Sequence, residues 1–278
     1  MQSICILLFA VSINSFLYLK AATQDSANYA LGANPNENGN VYSTGVISGT
    51  GPYTMNGTGT LRLAGINTFS GGVYINSSSA AAILGLGYPP ASLTTTINSS
   101  GNSYMGASRT IRFGTDGGGG TNGGILELGC DMSNANCTLR SRTSAAIGAT
   151  IRGYNQTSAY TIRFSTYLSG VQAGGPINIG AGATVIFGFA LPVGSSGTNY
   201  SAFNVSGTST NSGTLRLFNG ASSSTAAAVN AYGILDMSLC TTQFHNALST
   251  GTLTVRSNGT LRLPSATGTF SKAIVLSP

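Results

Sequence analysis

Short runs in which an apolar residue alternates with a polar one recur along the chain. Gly, Ser, Thr or Asn bounds each of them. Residues 57–76 hold the clearest example. Leu61 and Leu63 flank Arg62, which is a short strand with one apolar face. Gly65 and Asn67 suit the tight backbone that follows. Then come Phe69, a Gly71-Gly72 corner and a second strand, Val73-Tyr74-Ile75. Two short strands joined by a glycine corner make most of one coil of a β-solenoid. Gly-Thr-Leu-Arg-Leu stands at 59–63, 213–217 and 259–263. Thr269-Phe270-Ser271 and Ile274-Val275-Leu276 follow the last copy, much as Thr68-Phe69-Ser70 and Val73-Tyr74-Ile75 follow the first. Copies this far apart predict a single stacked architecture.

The charges sharpen the pattern. Eight of the ten Arg directly follow an aliphatic residue in a strand-like triplet: Arg62, Arg112, Arg140, Arg152, Arg163, Arg216, Arg256 and Arg262. Glu127 in Leu-Glu-Leu and Asp236 in Leu-Asp-Met fill the same slot. Side chains alternate faces along a strand, so the aliphatics point in and the charges out. An inward guanidinium without a partner would cost several kcal/mol. From Arg216 to Asp236 is 20 residues, and from Asp236 to Arg256 is 20 again. Both steps read as one full coil. From Arg112 through Glu127, Arg140, Arg152 and Arg163 the steps are 15, 13, 12 and 11, which read as passage from one face to another. Arg256 and Arg262 are expected on adjacent faces across a Ser257-Asn258-Gly259 corner. The fold class predicted is all-β, a parallel β-helix or solenoid. At about 20–25 residues per coil and a rise of ~4.8 Å, residues 45–278 make roughly ten to twelve coils in a rod of about 50 Å.

Three segments resemble a known repeat: Val46-Ile47-Ser48-Gly49-Thr50-Gly51, Asn56-Gly57-Thr58-Gly59-Thr60-Leu61 and Asn67-Thr68-Phe69-Ser70-Gly71-Gly72. Together they look like the autotransporter-associated β-strand repeat of bacterial passenger domains. The match is strong over 45–76 and weaker over 250–276. The resemblance implies a right-handed parallel β-helix displayed at, or released from, the cell surface. It implies no particular ligand or reaction. An autotransporter also carries a C-terminal membrane β-barrel with strands of about 9–11 residues. The stretch after residue 233 is too short to supply one, and the chain stops just after a strand, without a polar cap. The expectation is a fragment, a partner-capped module or a product whose barrel is separate, with end-to-end self-association of the exposed edge.

Composition agrees with this class. The chain is 41 % hydrophobic and only 6 % charged, with 39 Gly and no Trp. Disordered chains are usually poor in apolar residues and rich in charge. Two Lys and two Glu are too few for the polar faces of a helical bundle. A net charge of +6 points to anionic partners such as acidic polysaccharide or lipid headgroups, or to simple solubility. No basic cluster with interleaved aromatics argues for nucleic acid.

Residues 1–22 hold an apolar run, Ile4 to Leu19, that is short for a membrane span of about 20 residues. It fits a secretory signal peptide, with an uncleaved anchor or a misplaced start as alternatives. Residues 23–44 read as a linker or a loose first coil, and 45–278 as the solenoid. Segments 80–106 and 195–232 depart from the rhythm and predict bulged corners or longer loops. The glycine run 117–120 lacks the Lys-Ser/Thr ending of a phosphate loop.

Cys130 and Cys137 bracket a short loop. They are a candidate disulfide in an exported protein, or two unpaired thiols with one facing the core. His245 is the sole histidine, which argues against zinc, and no cofactor is expected. Catalysis by a β-helix enzyme needs paired carboxylates or calcium-binding acids. Beyond Asp25 and Glu37 the acids are Asp116, Glu127, Asp131 and Asp236, and Glu127 reads as half of an exposed ion pair. A non-enzymatic protein is expected. A Thr-x-Thr array at coil spacing would point to ice binding, but 94–96 and 208–210 do not repeat that way. The function expected is a secreted or cell-surface structural or adhesive solenoid, a stalk or multivalent contact surface. Its eight outward Arg would meet glycans or another anionic surface. The alternative is a polysaccharide-binding or polysaccharide-degrading β-helix.

Overall fold

The computed structural model describes residues 29–31, 41–43, 47–49, 52–55, 60–63, 67–76, 82–87, 110–114, 123–142, 148–157, 159–167, 175–187, 202–217, 226–239, 252–263 and 273–278. The segment 1–22, the runs 94–96 and 117–120, Asp116, Cys240 and His245 lie outside the described residues. In chain order the strands begin with β1 (Tyr29–Leu31), β2 (Val41–Ser43), β3 (Ile47–Gly49), β4 (Tyr53–Met55), β5 (Thr60–Leu63), β6 (Val73–Ile75) and β7 (Ile83–Leu86). They continue with β8 (Thr110–Gly114), β9 (Gly124–Leu128), β10 (Met132–Arg142), β11 (Ala149–Gly153), β12 (Tyr160–Tyr167), β13 (Ile177–Ile179) and β14 (Ala183–Phe187). The last are β15 (Ala202–Val205), β16 (Gly213–Leu217), β17 (Ala226–Val229), β18 (Gly233–Asp236), β19 (Leu253–Arg256), β20 (Thr260–Arg262) and β21 (Ile274–Ser277).

From β4 onward the chain deals its strands alternately to two sheets. Even-numbered strands β4 to β20 form a nine-stranded sheet; β2, then odd-numbered strands β5 to β21, form a ten-stranded one. Every pairing among the described residues is parallel, and each interior strand of the two large sheets pairs with strands one coil before and one coil after it. This is a parallel β-solenoid, the class that the apolar–polar alternation predicts. β1 and β3 form a separate two-stranded sheet. The expected ten to twelve coils are too many, because each coil places one strand in each sheet. The coils are longer than expected in places. One coil takes 20 residues from Arg216 to Asp236, but 26 from Asn178 to Asn204 and 28 from Thr150 to Asn178. The whole of 85–125 lies between Leu84 and its partner Leu126. That long coil contains much of segment 80–106, yet β7 keeps the rhythm within it. Segment 195–232 likewise carries three regular strands, β15, β16 and β17.

The core is a set of inward columns. On the ten-stranded sheet Leu61, Leu84, Leu126, Ile151, Ile179, Val205, Val229 and Val255 stand one above another. All are buried. On the other sheet Ile162, Val185, Leu215 and Leu235 do the same, with Phe164 and Phe187 stacked at 5.7 Å beside them. Phe187 reaches across to Phe203 of the opposite sheet, again at 5.7 Å. Burying each such side chain contributes roughly 1.5–3 kcal/mol, and the column on the ten-stranded sheet has no break from Leu61 to Val255 where a coil could slip by one residue.

Tight corners carry the chain from the ten-stranded to the nine-stranded sheet. In the corners before β18 and β20, Gly233 donates its N–H to the carbonyl of Asn230 at 3.0 Å, and Gly259 donates to that of Arg256 at 2.8 Å. The residue before each glycine, Tyr232 or Asn258, takes a left-handed backbone with φ of 57° or 60°. Asn tolerates that region; a tyrosine seldom occupies it. The corners also stack, since the Tyr232 N–H donates to the Asn258 carbonyl at 3.0 Å. The second corner sets Arg256 and Arg262 on different sheets, as their spacing predicts.

Candidate functional site

With aliphatics inward, the charged slots fall into outward columns, and the register decides who meets whom. Arg112, Glu127, Arg140, Arg152 and Arg163 lie on β8, β9, β10, β11 and β12. They alternate between sheets, as their shrinking spacing predicts. Arg216 pairs directly with Asp236 one coil on. The next step corrects the expectation. Asp236 pairs with Arg262, and Arg256 lies on the other sheet. Equal spacing misleads here because the connection from β18 to β19 is longer than the corner from β19 to β20.

On the ten-stranded sheet Arg62, Gly85, Glu127 and Arg152 share one outward column. Arg62 passes over Gly85 and donates to Glu127 Oε1 at 3.0 Å. A Cβ on Gly85 would stand 2.8 Å from Arg62 Cγ, so glycine leaves the path open. From the other side Arg152 donates through Nε at 3.3 Å and through its terminal nitrogen at 3.1 Å to Glu127 Oε2. Glu127 is 0 % exposed although it sits on the outward face. It is therefore not half of a solvated surface pair. It is a covered carboxylate between two guanidinium groups, in the charge-assisted geometry that makes such bonds strong. Arg62 also lies over the Tyr154 ring, 5.8 Å from its centroid.

The nine-stranded sheet builds its own version around Asp236, which is 2 % exposed. Arg216 donates to Oδ2 at 3.0 Å, and Arg262 stands 3.7 Å from the same oxygen. The Ser238 hydroxyl and amide both donate to Oδ1, at 2.6 and 3.0 Å. Burial alone would push the Asp236 carboxyl up. The Ser238 hydrogen bonds and the Arg216 guanidinium outweigh it and hold the group below the usual carboxylate value. Extending the column downward gives Arg163, Ile186, Arg216, Asp236 and Arg262 in register. Beside it runs a second outward column of Thr161, Thr184, Thr214, Ile234 and Thr260. This Thr file is single and interrupted by Ile234, so it is not a Thr-x-Thr array.

The remaining Arg residues divide. Arg112 pairs with Tyr74 and stacks on its ring, 3.7 Å from the centroid. At 9 % exposure it is a covered cation–π contact, not the open ligand-facing residue expected. Arg140 pairs with Arg112 along the backbone, and its side chain lies outside the described residues. β10 shifts register twice between its pairing with β12 at Met132 and at Thr138. That places Arg112 and Arg140 in a different file from Arg163. Arg256 is exposed. Cys130 and Cys137 are buried thiols, and no disulfide joins them. Cys137 faces inward opposite Phe164, and the core holds both sulfurs. Burial, then the neighbouring Asp131 charge, pushes the Cys130 thiol up to about 12, which keeps it neutral and unreactive.

Several partners were not visible in the sequence pattern. Ser238 had one signal, an Asp-x-Ser spacing that suits a side chain closing on its own turn. Tyr74 and Tyr154 had none, because only register brings them to Arg112 and Arg62. An amide ladder was also missed. Asn204 donates to Asn178 Oδ1 at 2.9 Å, and Asn178 to Thr150 Oγ1 at 3.5 Å. The repeated Ile-Asn-Ile and Phe-Asn-Val triplets carried it. No family model, no curated protein and no solved structure matches this chain.

Proposed function

We propose that this chain is a secreted or cell-surface structural and adhesive β-solenoid, resembling an autotransporter passenger, that serves as a stalk and a multivalent contact surface. The observation that carries the reading is the outward file on the nine-stranded sheet in which Arg163, Arg216 and Arg262 recur on every second strand. Such a rod repeats one chemistry along its length, so weak contacts add through multivalency. Its basic balance suits an anionic surface, glycan above all. The repeat resemblance over 45–76 supports export, as does the apolar run before residue 23.

The proposed role is non-enzymatic. Glu127 and Asp236 stand on different sheets, and each is engaged by guanidinium donors. Two carboxylates flanking one scissile bond would have to face each other.

Fractionation of the native host, with mass spectrometry of the terminal peptides, tests the location. The expected result is protein in the outer envelope or the medium, and cytoplasmic protein with Met1 intact would overturn export. Retention on a sulfated polysaccharide resin but not on an uncharged one, released by salt, tests the contact surface.

A further inference from the structure

We infer that the outward face of the nine-stranded sheet binds an acidic polysaccharide that alternates acidic with neutral sugars, anchored by Arg163, Arg216 and Arg262. The inference rests on the anionic-surface reading above and names its face and its ligand.

The register carries it. Successive strands of the sheet hold Arg163, Ile186, Arg216, Asp236 and Arg262 at one outward position. Strands lie ~4.8 Å apart, so guanidinium-bearing rungs recur at ~10 Å. A sugar in an extended chain is about as long as the strand spacing. A chain lying along the rod would therefore bring one sugar to each rung and an acid to every second one. The rungs between do not suit a second acid. Ile186 brings no charge to its rung and is only 9 % exposed, so nothing there meets an acid. Asp236 carries a negative charge, held in place by Ser238 and Arg216, which would repel a carboxylate or sulfate. Arg216 and Arg262 keep 33 % and 51 % of their side chains exposed, so charge remains to be met. The adjacent Thr161, Thr184 and Thr260, none of them buried, line the same face with hydroxyls that can pair with those of a sugar.

The ten-stranded sheet lacks this rhythm. Arg62 and Arg152 both turn to Glu127. Continuing the ladder above Arg152 gives Gly180, Ser206 and Asn230 before Arg256. Its lone exposed arginine has no charged neighbour within three rungs on that side.

The test is calorimetric titration of the full chain with hyaluronan oligosaccharides, which alternate a uronate with a neutral amino sugar. Three arginine rungs match three uronates. Affinity is expected to rise about tenfold from tetrasaccharide to hexasaccharide, then change less than about threefold with further length. Arg163→Gln and Arg262→Gln are each expected to weaken the hexasaccharide about tenfold. Arg256→Gln, on the other sheet, should leave it unchanged. Circular dichroism melts of each variant separate lost binding from lost folding, and half-exposed Arg262 keeps the test valid if Arg163→Gln unfolds. Oligomannuronate, with an acid on every sugar, should bind more weakly at equal length. Three results would overturn the ladder while leaving the anionic-surface reading intact. They are affinity that simply tracks total charge, an equal loss from Arg256→Gln, or equal binding of oligomannuronate or a single-stranded oligonucleotide. Failure to bind hyaluronan together with failure to bind the sulfated resin would remove both.

Discussion

Glu127 and Asp236 occupy equivalent slots on opposite sheets, each between two arginines, yet they are held in different ways. Glu127 takes two near arginines, one from the next strand and one that reaches over a glycine from two strands away. Asp236 takes one near arginine, one distant and half-exposed arginine, and a serine of its own turn. Side-chain length explains part of this. The longer glutamate extends far enough for guanidinium groups to close over it. The shorter aspartate stays near its backbone, where Ser238 can reach it. A long-range clasp across coils and a local turn thus reach the same end, a covered carboxylate on an outward face. The first joins residues from three coils across a span of four; the second ties mostly one pair.

That contrast can be broken. Arg152→Ala should have the largest effect, because it leaves a fully covered Glu127 with one guanidinium. The expected loss is about 3 kcal/mol, near the lower bound for breaking a buried pair, read as a fall in urea midpoint. A loss under about 1 kcal/mol would mean that Glu127 rehydrates freely and the clasp is not structural. Gly85→Val comes next. Its side chain would displace Arg62 and cost about 1–3 kcal/mol. In a double-mutant cycle with Arg62→Ala most of that penalty should vanish, and strict additivity would show that Arg62 does not run over Gly85.

Asp236→Asn sharpens the other side. The folded-state value of Asp236 lies below its unfolded one. Its contribution is then complete above the unfolded value of about 4 and disappears as pH falls through the folded value. The wild type should lose thermal stability on acidification below about pH 5, and Asp236→Asn should flatten that limb while costing about 1–3 kcal/mol at pH 7. An unchanged acid limb would assign it to other carboxylates. The smallest effect belongs to Arg262→Ala, at most about 0.5 kcal/mol, as for an exposed pair at long distance. A larger change would make the Asp236 cluster a second three-coil clasp.

Much of the fold was legible because the strand period of two is strict. Leu61 and Leu63 had to face the same way, Arg62 the other, and the strand at Val73–Ile75 followed from the same rule. The face-to-face steps from Arg112 to Arg163 were also readable, since short connections leave little choice. The site was less legible. Arg112 and Arg62 looked alike in sequence, yet one stacks on Tyr74 and the other bridges to Glu127. Burial of Glu127 depends on residues 25 and 65 positions away, and no local pattern encodes that.

The three Gly-Thr-Leu-Arg-Leu copies mark the boundary between the two kinds of information. Local sequence determined that each is a strand with leucines on one face and an arginine on the other, because alternation is a property of the extended backbone itself. Only the tertiary structure decided that 59–63 joins the ten-stranded sheet and that 213–217 and 259–263 join the nine-stranded one. The sum of connection lengths sets which side of the rod a strand reaches, and a partner's identity is set by whichever residue the stacked coil brings alongside.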